Sequence, residues 1–253
     1  MIRRWKAITS TCTTAGKRFS VITVMRAASF QLPFSFAFAG ESRFSSFRCE
    51  PDNHPLLHHL QHLQRAPGRL TWLWGVEGSG KTHLLQALGQ QHPEAIYLPM
   101  HKLLGYEPDC LAGLHASEFL IVDDLHLVCG KREWEEQLFA VCNELLRHEG
   151  YLVCAAAAPP GRLAFALADL QSRLQLAQIY EVHELSDAGK ASALVERAQQ
   201  RGIELKDEVV NFILARNQRN MHDLSEVLDR LDQQALAEQR RITIPFIKSC
   251  MGW

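Results

Sequence analysis

Residues 75–82, Gly-Val-Glu-Gly-Ser-Gly-Lys-Thr, are the part of the sequence whose residue types and spacing most clearly predict chemistry. They match G-x-x-x-x-G-K-[ST], a loop whose backbone N–H groups surround phosphate oxygens. Glycines permit the positive φ angles that turn these groups inward, and the following helix adds the positive end of its dipole. The pattern predicts a nucleoside triphosphate site, with phosphate contacts from Gly75, Gly78, Ser79, Gly80 and Lys81 and a Mg²⁺ ligand in the Thr82 hydroxyl.

Two consecutive acids, Asp123 and Asp124, follow the apolar run of residues 119–122, about forty residues after this loop. A buried strand that ends in acids at this distance is typical of the second nucleotide-binding motif. We expect Asp123 to hold Mg²⁺ through water, and Asp124 to position or polarise an attacking water. A strand end that simply enters a loop is the alternative interpretation.

A group of histidines could in principle bind a metal ion. His54, His58 and His62 are spaced i, i+4, i+8, with His59 beside them, so a helix would place imidazoles on one face. Leucines at 56, 57, 60 and 63 form the opposing apolar stripe, which favours a solvated histidine face, and no Cys or carboxylate falls at ligand spacing. We therefore expect no metal site at these histidines.

The elements that must position these residues alternate between apolar runs and helical patterns. Strands are predicted near 70–74, 95–98, 119–123, 151–155 and 178–182, and the clearest helix is predicted from about Lys131 to His148. This alternation indicates an α/β fold with a parallel sheet. After Leu185 the pattern becomes helical: Ser186 and Asp187 cap a helix that ends at Gly202, and further helices follow at 208–215 and 220–237. Residues 242–244 are the last strand-like run.

Composition limits the class of protein. The 253 residues, 47% of them hydrophobic, suit one large domain or one with a small lobe. Residues 1–40 hold six basic residues and no acidic one. The remainder therefore has 27 − 6 = 21 basic against 28 acidic residues, a net charge of −7, which argues against a broad nucleic-acid surface.

Seven cysteines without a C-x-x-C pair are typical of a reduced, cytoplasmic protein. The apolar stretch 30–39 is about half the length of a membrane span.

Residues 1–29 differ from the rest, being rich in Ser, Thr, Arg and Lys and free of acids. This composition fits an organellar transit peptide or an upstream misassigned start codon, with translation beginning near Met25; we favour the second. We expect this leader to be disordered, if it is translated at all, and residues 30–50 to link it to the folded part.

The phosphate loop, the Asp-Asp strand, the helical lobe and the stretch Arg240-Arg241-Ile242-Thr243-Ile244-Pro245-Phe246-Ile247-Lys248 together resemble the AAA+ ATPases of the bacterial replication initiator DnaA. The resemblance covers about residues 30–250 and extends to the family's short regulatory members. It implies an AAA+ P-loop NTPase with a parallel five-stranded sheet in residues 51–185 and a small C-terminal helical lid domain in residues 186–253. It also implies ADP or ATP, with Mg²⁺, as cofactors.

Two partner contacts are implied by the resemblance. Arg173, in Ser172-Arg173-Leu174, falls where the family carries an arginine finger, which acts on the nucleotide of a neighbouring subunit. Residues 31–34, Gln-Leu-Pro-Phe, are similar to a short peptide that docks on the DNA polymerase III sliding clamp (its β subunit), so Gln31, Leu32 and Phe34 are the expected clamp-binding residues.

Other positions bear on the chain's own nucleotide. Asn53, shortly after Phe47, lies where the family begins its adenine pocket. Ala155-Ala156-Ala157-Ala158 replaces the polar first sensor, and His222 replaces the arginine of the second sensor. Alanine cannot hydrogen-bond through its side chain, and a mostly neutral imidazole should contact phosphate less strongly. We expect nucleotide binding to survive better than self-catalysed hydrolysis, with ADP as an expected bound form.

The resemblance implies a regulatory inactivator of DnaA, which docks on the clamp and stimulates hydrolysis of DnaA-bound ATP to limit re-initiation. The sequence ends at Trp253, directly after the lobe, without room for the initiator's helix-turn-helix domain, so no dedicated DNA-binding domain is expected. The alternative is a self-hydrolysing AAA+ ATPase that acts as an initiator-like or helicase-loader protein. A homo-oligomer is compatible with either function, and neither involves a membrane.

Overall fold

A computed structural model describes residues 8–14, 17–23, 42–63, 69–216, 221–238 and 240–253. The strands are β1 (Ile8–Thr14), β2 (Lys17–Thr23), β3 (Leu70–Trp74), β4 (Ile96–Pro99), β5 (Phe119–Asp123), β6 (Tyr151–Ala156) and β7 (Gln178–Glu181). The α-helices are α1 (His54–Gln61), α2 (Lys81–Gln91), α3 (Met100–Leu103), α4 (Arg132–Arg147), α5 (Ala168–Leu174), α6 (Asp187–Gln200), α7 (Asp207–Arg216), α8 (Met221–Glu238) and α9 (Ile244–Met251).

Five strands form one parallel sheet in the order β4-β5-β6-β3-β7. This confirms the predicted parallel α/β sheet, and each strand begins and ends within one residue of its predicted bounds. Strands β3, β5 and β6 end at the same edge of the sheet because they run in parallel. The loop after β3, the acids that end β5 and the alanines that end β6 therefore meet at this edge.

Alternating side chains of the sheet pack against helices on both faces. Leu73, Ile121 and Val153 belong to one core cluster with leucines of α1 and α2. Trp72 and Val122, each the sequence neighbour of one of these residues, belong to the opposite cluster with α4 and α5. Successive side chains of a strand point to opposite faces, so these two sets produce a three-layer α/β/α fold.

Helix α4 is the longest helix of the sheet region and begins and ends one residue inside its predicted bounds. Trp134, Leu138, Val141 and Leu145 lie on one stripe and are buried against the sheet. Their spacing of three or four residues is the one that keeps side chains on one helix face.

Helices α6 to α9 surround a separate core that includes Leu194, Ile213, Leu228 and Phe246. Ser186 caps α6 by accepting a hydrogen bond from the Gly189 backbone N–H, as predicted. Residues 242–244 do not form a strand. Ile244 begins α9, and the proline that follows is tolerated in a first helical turn because its missing N–H would have no partner there.

The first two strands, β1 and β2, form an antiparallel hairpin in which Ile8 pairs with Thr23 and Thr14 with Lys17. The two segments, ITSTCTT and KRFSVIT, are rich in β-branched residues, which favour paired strands. Among the described helices of the chain, none combines the length and apolar character needed to cross a bilayer.

Candidate nucleotide-binding site

The loop of residues 75–82 connects β3 to α2 and depends on its glycines. Gly78 and Gly80 have φ angles of 78° and 99°, and Gly80 is the N-cap residue of α2. A Cβ atom at Gly75 would lie 2.5 Å from the Val182 carbonyl oxygen, and one at Gly80 would lie 2.8 Å from the Phe47 ring. The loop can therefore reach this conformation only with glycine at these positions.

Lys81, the first residue of α2, is 9% exposed and turns its ammonium group back over the loop. Its Nζ donates hydrogen bonds to the carbonyl oxygens of Gly75 at 2.8 Å and Val76 at 2.7 Å. Burial lowers the pKa of Lys81, while the charges of Asp123 and Asp124 act in the opposite direction. The loop thus concentrates a buried positive charge at the start of a helix.

Ser79, within the same loop, has a buried hydroxyl with no hydrogen-bond partner among the described residues. A buried polar atom without a partner is uncommon and calls for a physical explanation. A phosphate oxygen would supply an acceptor to this hydroxyl and to the ammonium of Lys81. The residues present therefore fit a phosphate group.

Asp123 ends β5 and is completely buried. Its Oδ2 accepts a hydrogen bond from the Tyr97 hydroxyl at 2.8 Å, its Oδ1 accepts one from the Asp124 backbone N–H at 3.0 Å, and the Thr82 side chain makes a further hydrogen bond to it. Burial, and then the charge of Asp124, raise the pKa of Asp123, while these hydrogen bonds oppose the rise. The structure thus brings together the two side chains, Thr82 and Asp123, that the sequence predicts as Mg²⁺ ligands.

Tyr97 belongs to this site although the sequence reasoning missed it. It lies on β4, next to β5, and its hydroxyl also makes a hydrogen bond with Gln86 of α2. Gln86 Oε1 in turn accepts a hydrogen bond from the Ser42 hydroxyl at 2.8 Å. Burial and the neighbouring Asp123 raise the pKa of Tyr97 far above its usual range, so the phenol remains a donor. A tyrosine within a buried strand was the available signal.

Asp124 lies at the rim of the site. Its backbone is in the left-handed region, with φ of 55°, a conformation uncommon for a residue with a side chain. Its Oδ2 is 3.1 Å from Nδ1 of His101, a partner that the sequence reasoning did not identify. The carboxylate is 30% exposed and is therefore within reach of solvent.

Asn53 is completely buried beside the chain that leads from β7 to α6. Its Nδ2 donates to the His183 carbonyl oxygen and its Oδ1 accepts from the His183 backbone N–H, both at 2.9 Å. Nearby, Glu50 accepts hydrogen bonds from the backbone N–H and the hydroxyl of Ser186. The segment before α1 is thereby fastened to the start of the C-terminal helices.

Arg173 lies near the end of α5, a helix that packs on the α4 side of the sheet, opposite α2. Its side chain is partly exposed and forms no ion pair with a carboxylate of the described residues. Ala155 and Ala156 are completely buried at the end of β6. The His222 side chain lies outside the described residues, as do Gln31, Leu32 and Phe34.

The histidine cluster near α1 divides in two. His54, His58 and His62 are exposed, as predicted, but the expectation of a solvated face is wrong for His59, which is 8% exposed. His59 Nε2 is 2.9 Å from the Thr71 hydroxyl, and burial lowers the pKa of its imidazole. It lies next to Leu60 on the helix and so follows the leucine stripe into the core. Where the structure describes the chain, no group of three or more His, Cys, Asp or Glu residues could hold a metal ion.

A five-stranded parallel sheet with a phosphate loop after β3, a buried acid at the end of β5 and a C-terminal helical lobe defines an AAA+ P-loop fold. The family profile of the bacterial DnaA ATPase domain matches residues 112–181, and that of the Hda lid domain matches residues 187–251.

Individual proteins are similar to this chain in sequence or in structure. A Haemophilus influenzae protein described as uncharacterized is 39% identical over 186 residues, which is 72% of this chain and 80% of the relative. Domain III of the Thermotoga maritima replication initiation protein DnaA has a similar structure, with a TM-score of 0.74 and 21% identity over 85% of this chain and 97% of that chain. AMPPCP-bound DnaA from Aquifex aeolicus has a TM-score of 0.64 and 20% identity over 79% and 68% of the two chains. The chain belongs to the Hda family of DnaA-like AAA+ proteins.

Proposed function

We propose that this protein is a regulatory inactivator of DnaA: a nucleotide-bound AAA+ protein that docks on the sliding clamp and stimulates hydrolysis of DnaA-bound ATP in the cytoplasm. The observation that carries the proposal is Arg173, a partly exposed arginine without a carboxylate partner among the described residues. It lies on the opposite face of the sheet from α2, the helix that begins at the chain's own phosphate loop. Such an arginine is available to a second subunit.

The chain's own nucleotide is proposed to bind at the loop of residues 75–82. Backbone N–H groups of the loop, the Lys81 ammonium and the Ser79 hydroxyl would contact its phosphates, because all of them converge on the start of α2. Thr82 and Asp123, already joined by a hydrogen bond, would hold Mg²⁺, which neutralises phosphate charge when it is bound. The AMPPCP-bound DnaA from Aquifex aeolicus supports an adenine nucleotide, ADP or ATP.

Asn53 and Phe47 are proposed to shape the base end of this site. Asn53 would do so indirectly, because its amide is bonded to the His183 backbone and fixes the segment that leads into α6. Phe47 packs against Gly80 and lies 5.9 Å, ring centre to ring centre, from His83. These contacts would bring the segment before α1, the phosphate loop and the helical lobe together around one ligand.

We expect the chain itself to hydrolyse ATP only weakly, because of the residues at its two sensor positions. Asp124 would orient water, but Ala155 and Ala156 offer no side-chain donor at the neighbouring strand end. His222, in the first turn of α8, would replace an arginine with a shorter and mostly neutral group. The bound nucleotide would then serve to hold the fold and the lid in a binding-competent arrangement.

Stimulation of the partner would depend on Arg173. A guanidinium that enters the nucleotide site of a neighbouring subunit stabilises the charge that develops on the transferred phosphoryl group. The initiator would retain ADP and lose its active form. Docking through Gln31, Leu32 and Phe34 would concentrate the protein on clamps loaded on DNA, where re-initiation must be limited.

ATP turnover by the purified protein alone and after addition of DnaA, clamp and DNA tests this function. We expect little phosphate release by the protein alone or by DnaA alone, and a large increase only in the complete mixture. Rapid turnover by the protein alone, unchanged on adding DnaA, would instead support the alternative function of a self-sufficient ATPase. The Arg162→Ala variant, which alters another exposed arginine before α5, provides a matched control for effects of charge.

A further inference from the structure

Glu135 is a buried acid that none of the roles above uses. It lies in the first turn of α4 and its side chain is completely buried. Its Oε1 accepts hydrogen bonds from the backbone N–H groups of Gly130 at 2.7 Å and Ala166 at 3.0 Å, and its Oε2 accepts one from Leu167 at 2.6 Å. A carboxylate removed from water is tolerated when several donors satisfy it.

These donors belong to two segments on either side of the carboxylate. Gly130 follows the short turn of residues 125–128, which begins directly after Asp124. Leu167 is the N-cap residue of α5, the helix that carries Arg173. Glu135 therefore joins the segment that follows the acids at the nucleotide site to the beginning of the helix with the proposed arginine finger.

We propose that Glu135 is a positioning residue for Arg173, an inference that rests on the proposed function. It accepts two of its hydrogen bonds from the consecutive N–H groups of Ala166 and Leu167, directly before the first helical residue of α5. They fix both the position and the direction of a helix of seven residues. Arg173 is the sixth of these residues, so a change in the direction of α5 at Leu167 displaces its guanidinium.

The side-chain chemistry distinguishes this carboxylate from an amide of the same shape. In Glu135→Gln, one oxygen remains as an acceptor for Gly130 and Ala166, but an NH₂ group replaces the oxygen that accepts from Leu167, or the reverse. Two donors then face each other, and the beginning of α5 must move or lose a hydrogen bond. Glu136→Gln is the matched control, because Glu136 is exposed and its Oε1 pairs only with Arg132 at 2.8 Å among the described side chains.

Stimulated hydrolysis of DnaA-bound ATP by the full chain, with clamp and DNA present, gives the first test. We expect Glu135→Gln to lower the maximal rate at least about tenfold while the half-saturating protein concentration changes less than about twofold. Glu136→Gln should behave like the parent.

Hydrogen exchange of the ligand-free protein is the second test, and it does not depend on DnaA. Backbone amides of residues 160–176 should exchange faster in Glu135→Gln, while those of α2 should be unchanged. If Glu135→Gln does not fold, both experiments use Glu135→Asp instead. This variant keeps the carboxylate but shortens the side chain by one methylene group.

Different results separate the two ideas. If Arg173→Ala stimulates DnaA normally, the proposed function fails and Glu135 has no arginine finger to position. If Arg173→Ala is defective but Glu135→Gln is fully active, only the role of Glu135 is overturned. A loss of stimulation in Glu135→Gln without faster exchange in residues 160–176 would also overturn that role.

Discussion

The Tyr97 hydroxyl donates a hydrogen bond of 2.8 Å to Asp123 Oδ2, and this contact joins two neighbouring strands at the edge where the phosphate loop lies. The phenol receives a hydrogen bond from the Gln86 side chain of α2 and passes one on to the carboxylate. The loop's own helix is thus connected to the proposed Mg²⁺ ligand through a buried tyrosine. Such networks orient the groups that bind a metal ion.

Replacement of Asp123 by asparagine should affect the stability of the ligand-free protein and its affinity for Mg²⁺-nucleotide in different ways. Burial raises the pKa of Asp123 above its ordinary value of 3.8, so in the ligand-free protein the ionised carboxylate destabilises the fold. This cost is absent below the ordinary value, grows as pH rises from there to the raised pKa, and stays constant above it. The Tyr97 hydroxyl, unlike a backbone N–H, can rotate to accept a hydrogen bond from the new amide. We therefore expect ligand-free Asp123→Asn to unfold at a temperature no lower than the parent at pH 7, with the difference shrinking towards pH 4.

The same variant should bind Mg²⁺-nucleotide at least about tenfold more weakly, because an amide is a poorer Mg²⁺ ligand than a carboxylate. Thermal unfolding across pH 4 to 8, combined with nucleotide titration with and without Mg²⁺, measures both effects. A variant that is destabilised throughout, yet binds Mg²⁺-nucleotide like the parent, would show that Asp123 has a purely structural role.

Lys81→Ala should weaken binding of both ADP and ATP. The ammonium now donates to Gly75 and Val76, and would exchange these carbonyls for phosphate oxygens. Charge-assisted hydrogen bonds contribute roughly 1.5 to 3 kcal/mol each, so the affinity should fall at least about tenfold. Isothermal titration is the measurement, with Lys206→Ala, an exposed lysine before α7, as control. Equal affinities in the variant and the parent would show that residues 75–82 do not form a phosphate-binding loop.

Arg173→Ala should leave the chain's own nucleotide affinity nearly unchanged and abolish stimulation of DnaA. A finger contributes to the transition state in the partner's site and not to the ground state in its own. Lysine at this position should restore little activity, because a point charge cannot reproduce the planar guanidinium. Single-turnover hydrolysis of DnaA-bound ATP measures this effect. Normal stimulation by the alanine variant would exclude Arg173 as the arginine finger.

Replacement of Gln31 and Leu32 by alanine should remove detectable clamp binding at micromolar concentration. A short peptide gains affinity from a few apolar anchors in a preformed groove, with Leu32 and Phe34 as the anchors and Gln31 as the orienting group. We expect a cost of roughly 2 to 4 kcal/mol and no change in nucleotide affinity. Surface plasmon resonance on immobilised clamp compares this variant with Ser29→Ala/Ser35→Ala. Undiminished binding would place the clamp contact elsewhere.

Local patterns predicted most elements of the fold. The loop of residues 75–82 is recognisable because phosphate binding fixes both glycine and lysine positions within a few residues. The strands were found because a buried parallel strand is a short continuous apolar run, as at residues 119–122. The same reasoning could not recognise α9 as a helix, because the run Ile242–Ile244 favours a strand until Phe246 and Ile247 find a core among other helices.

Contacts between residues that are far apart in the chain could not be predicted from the sequence. Nothing in the residues around Glu135 distinguishes it from the exposed Glu136, since only packing buries one and leaves its neighbour in water. Asn53 was predicted near the adenine pocket, but its observed partner is the backbone of His183, 130 residues away.

The sequence by itself determined the phosphate loop, the Asp-Asp strand and the α/β architecture, because each depends on spacing within one turn or one strand. Tertiary structure alone decided which side chains share a carboxylate: Tyr97 and Thr82 reach Asp123 only because β4, β5 and α2 meet at one edge of the sheet. The physical reason is that hydrogen bonds form over about 3 Å between atoms, whereas the sequence specifies distance only along the chain.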